Sequence, residues 1–236
     1  MNPRLSVIVP TWNEVEYLPR LLVSLREQTV KELEVIVADS GSTDGTERLA
    51  REAGAIVVKG ERRGPAEGRN RGAKAAQGDV LVFTDADCIL PPNLLAEVLT
   101  ALLDPTVVGG CTAFAPSEGT QWDRLLLWTG SALQRAMTAM GFPHCAGTCF
   151  FYRRSAFEKL GGLREDMSMN EDHDLALRSR ALGRFACLSV VVETSMRRYR
   201  AYGYARTLLR EYLASTIFYY ITGQSPSTRF RPMPAR

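Results

Sequence analysis

Two carboxylates stand one residue apart in Asp85-Ala86-Asp87, directly after the apolar run at residues 80–83. Aspartates at a strand end can hold a hard divalent cation, whose other ligands are waters and substrate phosphates. An Asp there can also cap a helix, and Pro91 soon opens one. A second acidic loop, from Asp39 to Asp44, is expected at the same sheet edge and favours the metal interpretation.

A second acidic cluster, Glu171-Asp172-His173-Asp174, offers a candidate general base. A positioned carboxylate can take the proton from an attacking hydroxyl group. A purely structural interpretation stays open as well, because acids at a helix start interact favourably with the helix dipole. Asp174 and Arg178 would in addition form an i,i+4 ion pair.

Polar residues follow each of the first predicted strands, at the positions where open parallel sheets bind their ligands. Residues 10–14 follow the first strand, residues 39–45 the second and residues 59–64 the third. The stretch 64–72 is glycine-rich and basic, but it lacks both the Lys-Ser/Thr ending of a phosphate-binding loop and a GxGxxG pattern. Asp39 can accept a hydrogen bond from the N–H edge of a base, whereas Asp44 is expected to cap the next helix.

A zinc site or a cysteine nucleophile is a weaker alternative. Cys145, Cys149, His144 and His173 match no common zinc spacing. A catalytic thiol needs an oriented basic partner, and the sequence identifies none.

The glycines of loop 141–147 permit a hinge motion that closes over a bound ligand.

The elements that position these residues alternate between strand and helix over the first 110 residues. Short, nearly all-apolar runs indicate strands buried on both faces of a parallel sheet. The predicted strands are residues 5–9, 33–38, 55–59, 80–84 and 106–110. The predicted helices between them are residues 15–28, 45–53, 66–77 and 92–103. Right-handed crossovers then place helices on both sheet faces.

The second half has a different rhythm, which we interpret as the completion of the same domain. Residues 121–140 predict a long helix, followed by a strand at 148–153, a helix at 171–182 and a strand at 184–192. The residues expected to bury in the long helix are Leu125, Leu126, Trp128, Leu133 and Met137.

Composition and charge set limits on the class of protein. The 236 residues are 45% hydrophobic and 23% charged, which excludes disordered and collagen-like chains. Five scattered cysteines without a CxxC pair indicate reduced thiols. No run of about 18 uncharged apolar residues marks a membrane span, and the apolar N-terminal run is too short for a signal peptide.

The net charge of +3 hides a basic C-terminal segment, since residues 194–236 carry eight Arg and only one acid. Such a segment favours an anionic partner or is simply solvated. Residues 202–222 are apolar and aromatic, with Arg206, Arg210 and Glu211 near the start. They predict either a helix docked on the sheet or an interfacial helix lying in a membrane surface. Residues 223–236 are expected to be irregular.

Taken together, the motifs resemble family 2 of the inverting glycosyltransferases, which have the GT-A fold. The resemblance covers about residues 4–200 and runs in order along the chain. It is carried by residues 5–14, 35–45, 64–72, Asp85-Ala86-Asp87, 150–163 and Asn170-Glu171-Asp172. The fold implied is α/β, with a Rossmann-like, mostly parallel central sheet flanked by helices and a C-terminal amphipathic helical tail.

The resemblance assigns roles to single residues. It implies that Asp39 reads the base, that Asp87 with Asp85 holds Mg²⁺ or Mn²⁺, and that Asp172, with Glu171 beside it, is the catalytic base. The residues implied to bind the donor are Pro10, Thr11, Asn13, Glu14, Asp39, Ser40, Gly41, Gly64, Arg69, Asp85 and Ala86.

Departures from the family pattern limit the acceptor. Processive synthases of the family carry Gln-x-x-Arg-Trp, of which Ser195-Met-Arg-Arg198-Tyr199 is a degenerate version. Dolichyl-phosphate mannose synthases share the first half but use a phosphate acceptor, which needs no base. The Glu171-Asp172 pair therefore favours a hydroxyl acceptor.

The expected activity is transfer of one sugar from a nucleoside-diphosphate sugar to an acceptor hydroxyl, on a lipid-linked saccharide. The alternatives are a polyprenyl-phosphate glycosyltransferase, a sugar nucleotidyltransferase and a non-catalytic lipid or nucleotide binder. We expect a GT-A domain over residues 1–200, with a nucleotide-sugar half (1–110) and an acceptor half (111–200). Residues 201–236 form a separate basic segment, with peripheral membrane contact through 202–222. The expected location is the cytoplasm or the cytoplasmic face of the membrane, without a nucleic-acid partner.

Overall fold

The computed structural model describes residues 5–226. Its strands are β1 (Leu5–Thr11), β2 (Leu33–Asp39), β3 (Ile56–Lys59), β4 (Val80–Thr84), β5 (Cys88–Ile89), β6 (Val107–Pro116), β7 (Cys149–Arg153) and β8 (Arg184–Thr194). Its α-helices are α1 (Leu18–Arg26), α2 (Thr46–Glu52), α3 (Pro65–Ala75), α4 (Leu94–Ala101), α5 (Gln121–Ala139), α6 (Arg154–Lys159), α7 (Glu171–Ser179), α8 (Arg197–Tyr202) and α9 (Ser215–Thr222). A π-helical segment, Arg206–Ala214, leads directly into α9.

All eight strands join one sheet in the order β3-β2-β1-β4-β7-β6-β8-β5. Strands β3, β2, β1 and β4 are parallel, as the strand–helix alternation predicted. Strand β7 runs antiparallel to both β4 and β6, whereas β6 and β8 pair in parallel. The predicted α/β class is confirmed, and strands from both halves of the chain build the same sheet. The division into functional halves remains a prediction.

Alternating side chains of the central strands fill a core on each face of the sheet. Val7 and Val82 pack beneath α1 and α4. Ile8 and Phe83 pack on the opposite face, beneath α3 and α7. The expected burial of both faces is wrong for β3, where Ile56 is exposed, because β3 is the edge strand with one neighbour.

Helix α5 has the predicted length but presents the opposite face to the sheet. Its buried residues are Asp123, Leu127, Ser131 and Gln134. Of the residues predicted to bury, Leu125, Trp128 and Leu133 are exposed, and Leu126 and Met137 are only half-buried. Gln134 Nε2 donates to the Thr112 carbonyl at 3.0 Å. Hydrogen bonds to strand β6 therefore set the orientation of α5, and hydrophobic periodicity does not.

The segment predicted as one helix over 202–222 is broken at its start. Helix α8 ends at Tyr202, and Gly203 follows with a φ of +85°. The π-helical segment and α9 then continue the chain. The irregular part predicted beyond Pro226 lies outside the described residues. Within residues 5–226, no helix combines the length and the apolar character that crossing a membrane requires.

Candidate active site

The ends of β1 and β2 form one polar rim through the buried carboxylate of Asp39. Thr11 and Asp39 are register partners, and Thr11 Oγ1 donates to Asp39 Oδ1 at 3.2 Å. The backbone N–H groups of Gly41 and Ser42 donate to Asp39 Oδ2 at 3.1 and 3.0 Å. Asp39 therefore organises the loop in which it was predicted to read a base.

Asn13 ties the first loop to the second. Its backbone N–H donates to Ser42 Oγ at 2.8 Å, and its side-chain oxygen accepts from the Thr43 N–H at 2.9 Å. Asn13 adopts a φ of +56°, a left-handed conformation that Asn tolerates better than most residues. Asp44 Oδ1 accepts from the backbone N–H and the hydroxyl of Thr46, the first residue of α2, but the N-cap position itself is Gly45, so Asp44 lies one residue before the predicted cap.

A guanidinium group that the sequence analysis did not identify joins the first loop to the aspartate pair. Arg197 Nη1 and Nη2 donate to the two carboxylate oxygens of Glu14, both at 2.8 Å. Arg197 Nε donates to Asp87 Oδ2 at 2.8 Å, and the guanidinium lies over the Tyr17 ring. Burial raises the pKa of Glu14 and of Asp87, and the charge of Arg197 opposes that rise.

Arg69 connects the aspartate pair to the second acidic cluster. Its Nη2 donates to Asp85 Oδ1 and its Nη1 to Glu171 Oε1, each at 2.7 Å. The Arg69 side chain is buried, and Asp85 raises its pKa. One buried guanidinium group thus brings the two acidic motifs, from chain positions far apart, into contact with the same side chain.

Asp172 differs from Glu171 in its surroundings. No described residue forms an ion pair with Asp172, whereas Glu171 is neutralised by Arg69. The His173 N–H donates to Asp172 Oδ1 at 2.8 Å. Burial, followed by the charge of Glu171, raises the pKa of Asp172 to about 7. A carboxyl group with that pKa is suited to accept a proton near neutral pH.

Loop 141–147 lies against the Asp172 carboxylate. Gly147 has a φ of +76°, and a Cβ atom there would stand 2.4 Å from Asp172 Oδ2. A glycine is therefore required at this position on two grounds, conformation and space. This loop was predicted to move about its glycines, and in the structure its last residue also packs against the Asp172 carboxylate.

The rings of His144 and His173 are in contact, with centroids 4.3 Å apart and planes tilted by 56°. Both ring nitrogens of His173 are buried without a hydrogen-bond partner among residues 5–226. Burial, with the neighbouring His144, lowers the pKa of His173 to about 3, so the ring is neutral. In the same described part of the chain, no group of three or more His, Cys, Asp or Glu side chains is arranged to hold a metal ion by itself.

The other predicted donor residues take no part in the ion pairs of Arg69 and Arg197. Pro10 and Ser40 lie near Gly68, and Gly64 precedes α3 with a φ of +119°. Ala86 is buried between the two aspartates. The structure thus forms two arginine-centred clusters, Asp85–Arg69–Glu171 and Glu14–Arg197–Asp87, which adjoin at the aspartate pair, and Asp172 follows Glu171 at the start of α7. Arg197 is their missed member, and the basic stretch directly after the last strand was the available signal.

The family model described as Glycosyl transferase family 2 matches residues 6–161. The chain belongs to this family. The matched region contains the loops after β1 and β2, which were predicted to bind the nucleotide, and the aspartate pair, whereas Glu171 and Asp172 lie beyond it. The resemblance inferred from the motifs is confirmed.

Two known proteins illustrate what this family 2 chain is similar to. Glycosyltransferase AglE of Haloferax volcanii is 29% identical over 170 residues, which are 67% of this chain and 55% of AglE. The mannosyltransferase PcManGT of Pyrobaculum calidifontis, solved with GDP-Man and Mn²⁺, superposes with a TM-score of 0.70 at 29% identity. That superposition covers 96% of this chain and 66% of PcManGT. The chain thus spans about half the length of AglE.

The glucosyl-3-phosphoglycerate synthase of Mycobacterium tuberculosis shares the fold at lower sequence identity. Its structure with Mn²⁺, UDP and glucosyl-3-phosphoglycerate gives a TM-score of 0.67 at 22% identity. The superposition covers 94% of this chain and 81% of the synthase. The predicted GT-A fold is confirmed.

Proposed function

We propose that this protein transfers one sugar from a nucleoside-diphosphate sugar to an acceptor hydroxyl group, with inversion at the anomeric carbon. The observation that carries the proposal is the bridge from Asp85 through Arg69 to Glu171. Asp85, on the donor side, and Glu171, the neighbour of Asp172, contact the same guanidinium group. This closeness supports a single displacement, which needs the donor and the base at one site. The aspartate pair and the base then act on opposite sides of the reacting carbon.

The donor half of the proposal rests on the rim formed by β1 and β2. Pro10 and Thr11 end β1, Asp39 ends β2 and is followed by Ser40 and Gly41, and these are the residues that we assign to the nucleoside. The hydrogen bonds of the Asp39 carboxylate fix the loop that would receive it. The similarity to PcManGT, which was solved with GDP-Man, supports a nucleotide-sugar donor. The proposal covers any nucleobase and any sugar in the donor.

The donor atoms at Asp85 and Asp87 fit a magnesium or manganese ion. Hard divalent cations of this kind are held by one or two carboxylates plus substrate phosphates, so a complete protein cage is not needed. Each carboxylate has an arginine as its ion-pair partner, and the positive charge beside both supports the assignment of a cation to this edge. When bound, the ion supplies charge stabilisation to the departing diphosphate.

Asp172 is the residue that we propose as the base. The ion pair with Arg69 occupies Glu171, and the raised pKa of Asp172 matches proton abstraction near neutral pH. Asp172 takes the proton of the acceptor hydroxyl while the hydroxyl oxygen bonds to the anomeric carbon. The bond between that carbon and the departing diphosphate breaks in the same step. Arg69 holds Glu171 and Asp85 in place, and the absence of a Cβ at Gly147 leaves room for the Asp172 carboxylate.

We further propose that the acceptor is lipid-linked and that the enzyme works as a peripheral protein at the cytoplasmic face of the membrane. The C-terminal segment supports this, since Leu209, Leu213, Ile217 and Ile221 are exposed on one stretch of chain that also carries the exposed Arg210. Apolar residues with arginines at headgroup level are the pattern of a surface-bound helix.

A thermal-shift panel of UDP, GDP and CDP sugars, with and without Mn²⁺, tests the donor proposal. We expect stabilisation by one nucleotide class that increases with Mn²⁺ and is lost in Asp87→Asn. Glu97→Gln, an exposed substitution on α4, serves as the control. Absence of any nucleotide-dependent shift would contradict the proposed function. Pyrophosphate release from a nucleoside triphosphate and a sugar phosphate would instead identify a nucleotidyltransferase.

A further inference from the structure

Helix α5 buries three polar residues beside Leu127 and exposes most of its large apolar residues. Asp123 and Gln134 are 2% and 1% exposed, whereas Trp122 and Trp128 are 70% and 65% exposed. A surface helix of a protein surrounded by water shows the reverse arrangement. The outer face of α5 is therefore adapted to something other than water.

The inward face is fixed by hydrogen bonds, so the helix cannot rotate to hide its apolar side. Gln134 donates to the Thr112 carbonyl at 3.0 Å and accepts from the Ala146 N–H at 2.9 Å. Ser131 Oγ accepts from the Phe114 N–H at 3.3 Å. Rotation would leave these buried polar groups unpaired, at a cost that the burial of one or two apolar residues would not offset.

The charges exposed on α5 have a single sign. Arg124 and Arg135 are exposed, whereas the one acid of the helix, Asp123, is buried and accepts from the Tyr204 hydroxyl at 2.6 Å. The outer surface hence offers two tryptophans, aliphatic side chains, the polar Gln121 and Thr129, and charges of positive sign alone. The exposed apolar residues on α5 and directly after it are Trp122, Leu125, Trp128, Leu133, Met140 and Phe142.

The C-terminal segment repeats the same inversion. The buried residues of the π-helical segment and α9 are Thr207, Glu211, Ser215 and Tyr219, one on every fourth position. Leu209 and Ile217 point outward. The Tyr204–Asp123 hydrogen bond joins the start of this segment to the first turn of α5. Two connected elements thus expose apolar faces.

We propose that the outer face of α5 lies in the interfacial region of an anionic lipid bilayer, as a membrane contact distinct from that of the C-terminal segment. Tryptophan favours the boundary between headgroups and acyl chains. Arginines gain from anionic headgroups, and the aliphatic residues insert between them. A protein partner would more commonly match a surface of mixed charge, and α5 exposes no acid. The inference rests on the proposed function in one respect, that a bilayer carries the acceptor.

Tryptophan fluorescence gives a direct test, because Trp122 and Trp128 are two of only three tryptophans in the chain. In a Trp12→Phe background, used only for spectroscopy, the emission reports on α5 alone. We expect a blue shift on vesicles of phosphatidylcholine and phosphatidylglycerol, and quenching when the acyl chains are brominated. Binding of the protein without any quenching would overturn the proposal, since only the C-terminal segment would then be inserted.

Paired variants separate this surface from general stickiness. Trp122→Gln with Trp128→Gln should weaken vesicle binding by about tenfold or more, since two large side chains lose their insertion. Leu103→Gln with Ile56→Gln, two exposed apolar positions on other elements, should leave binding within about twofold of wild type. Arg124→Gln with Arg135→Gln should weaken binding to anionic vesicles and leave binding to pure phosphatidylcholine unchanged.

The remaining outcomes are also decisive. Concentration-dependent dimers in sedimentation, abolished by the tryptophan pair, would assign the face to a second copy and overturn the bilayer proposal. Nucleotide-sugar binding by the same variants keeps this test apart from the proposed function. Variants that bind the donor normally but do not bind vesicles would support the membrane-contact proposal for α5. A wild-type protein that binds no donor would contradict the proposed function and leave the α5 proposal unaffected.

Discussion

Asp172 stands out among the acids of the cleft because its carboxylate has no ion-pair partner among the described residues and its pKa is raised to about 7. Since a base acts only when deprotonated, kcat/KM is expected to rise as the pH passes through about 7 and to level off above it. Asp172→Asn should lower kcat/KM by about 10²- to 10⁴-fold and leave nucleotide binding intact. The exposed Asp166→Asn is the control. Equal activity of Asp172→Asn and wild type would favour an anionic phosphate acceptor.

The same raised pKa has a consequence for stability. A carboxyl whose pKa is higher in the folded than in the unfolded chain stabilises the fold at low pH, and that contribution is lost as the pH rises to about 7. Asp172→Asn should therefore gain thermal stability over wild type between about pH 4 and 7, with a constant difference above. Each kcal/mol of relief corresponds to about 2–4 °C in Tm, measured by calorimetry across pH. An advantage that shrinks with rising pH would contradict the assignment.

Arg197 supplies the positive charge between Glu14 and Asp87. Removing it leaves two half-buried acids close together, so Arg197→Gln should lower Tm by several degrees. Added Mn²⁺ should restore more Tm in Arg197→Gln than in wild type, because the cation replaces the missing charge at Asp87. Arg200→Gln, on the same helix and exposed, is the matched control. Equal Mn²⁺ shifts in both proteins would argue against a cation site at Asp87.

At the level of elements, loop 141–147 and helix α7 meet at Gly147 and Asp172. Gly147→Ala should reduce kcat/KM more than donor affinity, because the added Cβ displaces the carboxylate of Asp172. The positive φ of Gly147 adds strain of about 1 kcal/mol for a non-glycine residue. Gly141→Ala shares the positive φ but has no neighbour within 4 Å, so it separates strain from displacement. Similar kinetics for both variants would show that displacement of Asp172 is unimportant.

The elements also show what could be predicted from the sequence. Strands β1, β2 and β4 were predictable because buried parallel strands read as apolar runs, and their ends fixed the nucleotide loops. The buried face of α5 could not be predicted, because hydrogen bonds from Gln134 and Ser131 to the backbone of β6 fix it. The spacing of hydrophobic residues carries no information about such bonds. The two arginine-centred clusters also escaped prediction, since Arg69–Glu171 and Arg197–Glu14 join residues more than 100 positions apart.

At the level of the whole molecule, the C-terminal segment both packs beside the candidate active site and exposes apolar residues on the surface. Tyr219 and Tyr220 pack edge-on against His173, next to Asp172, while Leu209 and Leu213 remain exposed. A truncation before this segment would therefore disturb the cleft as well as any membrane contact. Surface substitutions are the cleaner test.

Leu209→Gln with Leu213→Gln should reduce co-sedimentation with anionic vesicles and leave nucleotide binding unchanged, because both side chains face outward. The difference in co-sedimentation between the double variant and wild type should become smaller at high salt. Salt screens the attraction between arginines and anionic headgroups, so the wild-type protein itself then binds the vesicles less. Val23→Gln on α1 is the control. Unchanged co-sedimentation in the double variant would remove the C-terminal segment from the proposed membrane contact.

The central claim is that one cleft, linked by Arg69, performs an inverting displacement with Asp172 as its base. NMR of the product from an anomerically pure donor tests it most directly, with the donor that the binding panel selects and a hydroxyl acceptor. We predict that the product first formed has the opposite anomeric configuration, and that Asp172→Asn binds the donor but forms product at least about 100-fold more slowly. A product that retains the donor's configuration, or full transfer by Asp172→Asn, would contradict the account.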